Sequence, residues 1–174
     1  LYLTETLWNN LNTFGRITLN SQSDLVFMGD YNINVADQLT IDAQRVVGLE
    51  PVTFETLYDN YNSSARVTVG SDTVLLTNSK DAVAATDTVA VYEADGTSHL
   101  FTLDDTGRIT LAAASGLFLG PGQVRLNGFD FAHLTSGGGM VFRGEGRLAA
   151  PEVAAINLDA GNGLTVAPYY LDTA

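Results

Sequence analysis

The chemically capable side chains of this chain are carboxylates, two histidines and a cluster of aromatic and amide groups. Asp104 and Asp105 stand near Arg108, and Glu145 lies between Arg143 and Arg147. Either set offers acid–base work on a polysaccharide, since glycoside hydrolysis needs two carboxyls about 5 to 9.5 Å apart. Asp104-Asp105-Thr106-Gly107 is nevertheless a turn sequence first of all. Asp95, Asp104 and Asp105 also form an oxygen-only set of the kind calcium takes. His99 and His133 are 34 residues apart, so they make no metal-binding pair on one helix face, and both are read as structural. Ser136 precedes Gly137-Gly138-Gly139, which reads as a flexible corner rather than an oxyanion loop, and no Gly-x-Ser-x-Gly elbow is present. Gly144-Glu145-Gly146-Arg147-Leu148-Ala149 fits a dinucleotide-binding spacing loosely, but Pro151 comes too soon for the helix that such a site requires. The chain has no cysteine, which excludes disulfides, thiolate metal sites and cysteine nucleophiles. These residues assign no catalytic set, no metal and no cofactor, and predict a protein that is not an enzyme.

The better binding candidate is the stretch 50–64. It carries Phe54, Tyr58 and Tyr61 with Asn60 and Asn62, rings that stack on sugars and amides that bond hydroxyls. The competing reading is that these rings pin the loop to the flank of the protein. Asn62-Ser63-Ser64 is also a glycosylation sequon.

The elements that position these residues announce themselves as a repeat. Ile17-Thr18-Leu19 is followed eight residues later by Leu25-Val26-Phe27. Ile109-Thr110-Leu111 is followed at the same distance by Leu117-Phe118-Leu119, and Ile156-Asn157-Leu158 by Leu164-Thr165-Val166. A fourth copy, Val67-Thr68-Val69 with Val74-Leu75-Leu76, is slipped by one residue, and Leu39-Thr40-Ile41 opens a fifth. From Ile17 to Ile109 is 92 residues and from Ile109 to Ile156 is 47, or about four and two periods of 23. Weaker triplets near Val89 and Phe131 fall between them. A period in the low twenties, with β-branched residues, Gly, Asn and Thr and almost no helical periodicity, predicts a stacked β-solenoid. Alternation then turns Ile17, Leu19, Ile109, Leu111, Ile156 and Leu158 inward and Thr18, Thr110 and Asn157 outward. Ser-Asp, Ser-Gly, Asn-Gly and Gly120-Pro121-Gly122 mark the corners.

Three segments depart from the repeat. Leu3, Leu7, Leu11 and Phe14 recur at helical spacing, so residues 1–14 are either a short capping helix or an irregular strand. Residues 50–64 are a loop insertion. Residues 88–103 form a hairpin turning at Asp95-Gly96, which sets Tyr92 opposite His99 and Ala90 opposite Phe101 if those two residues are the whole loop. That hairpin either projects from a solenoid or marks the whole chain as an antiparallel β-sandwich.

The 174 residues fit a single segment, and a start at Leu1 without a signal sequence predicts a piece of a longer protein. Seven Arg and one Lys against fourteen Asp and six Glu give net charge -12, a surface that repels nucleic acid and anionic membranes. No stretch is long and apolar enough to insert in a membrane as a helix.

Several runs resemble a known family. Gly107-Arg108-Ile109-Thr110-Leu111-Ala112-Ala113, Gly128-Phe129-Asp130-Phe131-Ala132-His133-Leu134, Gly144-Glu145-Gly146-Arg147-Leu148-Ala149-Ala150-Pro151 and Ile156-Asn157-Leu158-Asp159-Ala160 resemble the repeats of filamentous haemagglutinin-like large exoproteins of the two-partner secretion type. The resemblance covers roughly residues 15–48 and 65–170. It implies an all-β, right-handed parallel β-helix and a location that is secreted or on the bacterial cell surface. It also implies roles in adhesion, contact or biofilm, with a glycan or protein receptor on a host or bacterial surface as partner. The family's Asn-Pro-Asn-Gly secretion motif is absent from these residues. No family site residue carries over. End-to-end self-association is expected at open strand edges, and a β-solenoid polysaccharide-degrading enzyme or tailspike-like depolymerase fragment is the competing function.

Overall fold

The computed structural model describes residues 2–3, 14–50, 65–80, 87–92, 95–103, 106–149 and 155–167. In chain order the strands are β1 (Tyr2–Leu3), β2 (Arg16–Asn20), β3 (Asp24–Met28), β4 (Tyr31–Asp42), β5 (Arg45–Leu49), β6 (Arg66–Thr77), β7 (Thr88–Tyr92) and β8 (Ser98–Thr102). They continue with β9 (Gly107–Leu119), β10 (Gln123–Asn127), β11 (Phe129–Ser136), β12 (Gly139–Arg143), β13 (Arg147–Ala149), β14 (Ala155–Ala160) and β15 (Leu164–Ala167). The described residues contain no helix. Leu3, offered as the start of a capping helix, is in a strand paired with Phe27; residues 4–13 of that candidate lie outside the described residues.

A first sheet has the order β1-β3-β5-β10-β13. A second has the order β14-β11-β9-β6-β4-β2, with β12 between β9 and β15. Every pairing in both sheets is parallel. The antiparallel sandwich is therefore excluded: among the described residues, antiparallel pairing is confined to the hairpin β7–β8. The chain passes repeatedly from one sheet to the other, and the strands it adds to either sheet are parallel to their neighbours. This all-β architecture is compatible with a β-helix-like fold.

The register shows how the repeat is used. One inward column of the second sheet runs Ile33, Val69, Leu111, Leu134, Leu158, and its neighbour runs Tyr31, Val67, Ile109, Ala132, Ile156. Another runs Ile17, Leu39, Val74, Leu117, Met140, Leu164. The alternation that makes Ile17, Leu19, Ile109 and Leu111 buried and Thr18 exposed is the pleat itself. The columns meet Leu25, Phe27, Val46, Val124 and Leu126 of the first sheet in one core cluster.

Two details differ from the sequence reading. The Ile17 triplet shares a sheet with Ile109 but stands in the Leu117 column, because β2 pairs with the second half of β4. Within one pass the two triplets are alike in pattern, so the sequence alone does not tell which half a triplet occupies. The one-residue slip of the Val67 copy is absorbed by a bulge between Ser71 and Thr73. Ile156 and Leu158 keep their inward columns but are 38% and 40% exposed, because among the described residues β14 is an edge strand with only β11 beside it.

The corners are where side chains would not fit. At Ser136-Gly137-Gly138-Gly139 the Ser136 hydroxyl donates to the Gly139 carbonyl, and a Cβ on Gly138 would collide with the Ser115 carbonyl of the preceding pass. The serine is thus a corner residue, as its glycine neighbours suggest.

The hairpin lies against the outer face of the first sheet. Val89, Val91, Phe101 and Leu103 pack on Val26, Val47 and Leu49 in a second buried cluster. The weak triplet at Val89 therefore belongs to this hairpin and not to the stack. Its register also differs from the expected one by a residue. Tyr92 pairs with Ser98, Val91 with His99 and Ala90 with Leu100. The loop therefore spans residues 93–97 instead of Asp95-Gly96 alone, and Thr97 N–H donates to Asp95 within it.

Candidate functional site

The aromatic loop expected to bind sugars falls where no geometry can be assigned. Phe54, Tyr58, Asn60, Tyr61 and Asn62 all lie outside the described residues, as do Asp104 and Asp105. Among the described residues no group of three or more His, Cys, Asp or Glu side chains is arranged to hold a metal.

The second carboxylate set is dispersed by its own surroundings. Arg143 places its guanidinium 4.0 Å over the Phe118 ring, so one face of this cation is stacked on an aromatic. Glu145 is exposed at a turn tip, and Arg147 opens strand β13. A strand follows Gly146 where a dinucleotide site needs a helix N-terminus. His133 projects outward in a ladder with Thr110 and Asn157, its ring 6.2 Å from Phe131. His99 is partly buried on β8, opposite Val91.

Two polar constellations were not anticipated. The first closes the corner after β2, β4 and β6. Asp42 accepts from Asn20 at 3.2 Å, from Lys80 at 2.8 Å, and from the Ser79 amide and hydroxyl at 2.9 and 2.7 Å. Lys80 also donates to Asn20 at 3.0 Å. Burial pushes the Asp42 carboxyl up, but the bonds from Lys80 and Ser79 outweigh it and hold the group below its ordinary value of 3.8. Four donors saturate this carboxylate, so it is equipped to tie passes together and not to act as a base.

The second is Arg45, which makes a two-pronged pair with Asp24 at 2.7 and 2.6 Å and donates to the Thr88 carbonyl at 2.9 Å. It joins β3, β5 and the start of the hairpin. A signal for both sets exists in the sequence. Asn20 and Asp42 are 22 residues apart and Asp24 and Arg45 are 21 apart, one repeat period each. Polar partners spaced by the repeat become stacked neighbours.

One open trough of about 530 Å³ runs across the bend of the second sheet. Asn34, Gly70, Asp72 and Ala112 line it, and Asp72 accepts from Ser115 at 2.6 Å. Asp72 is its one carboxylate, whereas acid–base hydrolysis of a glycoside takes two.

No family model, curated protein or solved structure matches this chain.

Proposed function

We propose that this chain is a right-handed parallel β-helical segment of a secreted bacterial cell-surface exoprotein, and that it serves as a non-catalytic structural and adhesive module. The observation that carries the reading is the all-parallel ladder of the second sheet, bulged at three places, in which successive passes set apolar residues in shared columns. Such a stack is a rigid spacer that displays outward ladders and corner insertions. Its partner is a glycan or protein receptor on a host or bacterial surface, met by the insertion at residues 50–64. Self-association through the β14–β15 edge accompanies this role, since Ile156, Leu158 and Leu164 are exposed there on strands with no further neighbour among the described residues.

The test separates this reading from a polysaccharide-degrading enzyme. The protein is incubated with neutral and uronic-acid polysaccharides, and the products are assayed for new reducing ends or unsaturated sugars. No turnover, together with retention on glycan-coated or cell-coated surfaces that is lost in Tyr58→Ala/Tyr61→Ala, is the expected result. Turnover abolished by Asp105→Ala or Glu145→Ala overturns it. Sedimentation at rising concentration checks the edge: a monomer throughout would remove self-association.

A further inference from the structure

The two sheets do not contain the same number of passes. In the second sheet β4, β6 and β9 are successive neighbours, so β6 is a full layer between its companions. In the first sheet the strands that follow β4 and β9 in the chain, β5 and β10, bond each other directly. Arg45 pairs with Arg125, Val46 with Leu126 and Val47 with Asn127. Among the described residues between β6 and β9, none joins the first sheet. It turns at Asn78 to Lys80, bound to the Pro121 and Gln123 carbonyls and to Asp42, and next forms the hairpin on the outer face.

We propose that this third pass is a wedge that bends the stack toward the first sheet. The proposal rests on the reading of the chain as one continuous stack. One strand spacing of about 4.8 Å is missing on one side of a core about 10 Å thick, which corresponds to a bend of about 25°. The junction is built for this closure. A Cβ at Gly48 would lie 2.5 Å from the Phe129 ring, so only glycine in β5 lets the ring that follows β10 settle over it. Phe129 is 1% exposed and fills the space on the core side. Arg45, at the same junction, reaches Asp24 on one side and Thr88 of the hairpin on the other, so the hairpin braces the closed side. In a surface stalk such a pass sets the direction in which everything beyond it points.

The chain has no cysteine, so introduced pairs are the sole labelling sites. Nitroxides at Thr18→Cys and Val141→Cys sit in one outward column of the second sheet, four strand spacings apart through Thr40, Leu75 and Phe118. Nitroxides at Ser23→Cys and Arg147→Cys, within one residue of a common register, span the same passes on the first sheet but only three spacings. Dipolar spectroscopy should give a first-sheet distance shorter than the second-sheet distance by about 5 Å. Equal distances overturn the wedge. A second-sheet distance far from four spacings, about 19 Å before linker corrections, overturns the stack reading itself. A further variant replaces residues 78–106 by a copy of residues 121–128, restoring a first-sheet strand. It should lengthen the first-sheet distance by about 5 Å and leave the other unchanged; no lengthening in a folded variant also overturns the wedge. If that variant does not fold, the comparison in the parent chain decides.

Discussion

Asp42 is the residue at which sequence position and protonation meet. Its folded carboxyl lies below its ordinary value, so the charged form is favoured by folding. That stabilisation is fully present above about pH 4 and is lost as the pH falls through the depressed folded value. Urea unfolding should therefore show a steeper loss of stability as the pH is lowered below about 4 in the parent than in Asp42→Asn, which keeps the shape and removes the charge. A parallel pH dependence in the two proteins would detach the acid sensitivity from this corner. Gly48 is a second residue with a sharp expectation. Gly48→Ala puts a methyl group into the Phe129 ring, and overpacking of this kind costs about 1 to 3 kcal/mol. Coupling with Phe129→Leu, which makes room, should return part of that cost in a double-mutant cycle.

At the scale of elements, the links between the hairpin β7–β8 and the two sheets include an apolar patch and the Arg45 cation. Its inner side chains are buried while Tyr92 and Leu100 are 57% and 73% exposed. Arg45→Met removes both the Asp24 pair and the Thr88 bond. Asp24 is left with its charge partly buried, and breaking such a pair costs on the order of 3 kcal/mol. Hydrogen exchange should then speed up in residues 88–102 before it does so in β6 or β9, the strands packed most deeply in the stack. Uniform acceleration would show that the hairpin is not a separable unit. The Asp95-Gly96 turn was legible because Gly96 adopts φ 91° and Asp95 caps Thr97. The pairing register was not legible, since a two-residue and a five-residue loop leave the same alternating flanks.

At the scale of the molecule, burial depends on the place of a pass in the stack more than on the identity of its residues. Leu111 and Leu158 occupy one column, yet Leu111 is fully buried and Leu158 is 40% exposed. Leu111→Ala should cost about 2 to 5 kcal/mol, the usual range for a buried leucine. Leu158→Ala should cost under about 1 kcal/mol in a monomer. Comparable costs at high protein concentration, diverging on dilution, would show that another chain covers the edge. Charge acts at the same scale. A net charge of -12 keeps such edges apart at low salt, so self-association should strengthen as salt rises.

The sequence by itself determined the all-β class, the inward aliphatic columns, the glycine corners and a period near 23, because alternation and turn chemistry are local and act wherever the same residues recur. The tertiary structure alone decided which triplet stacks on which, since Ile17 meets Leu39 and not the Ile109 column. It also decided that Lys80 joins Asn20 and Asp42, and that Ile156 and Leu158 stay in inward columns yet are left partly exposed at the edge. Those outcomes depend on contacts between passes separated by 22 to 60 residues. No local pattern encodes them, because each pass is stabilised by neighbours that the chain supplies only after a full circuit.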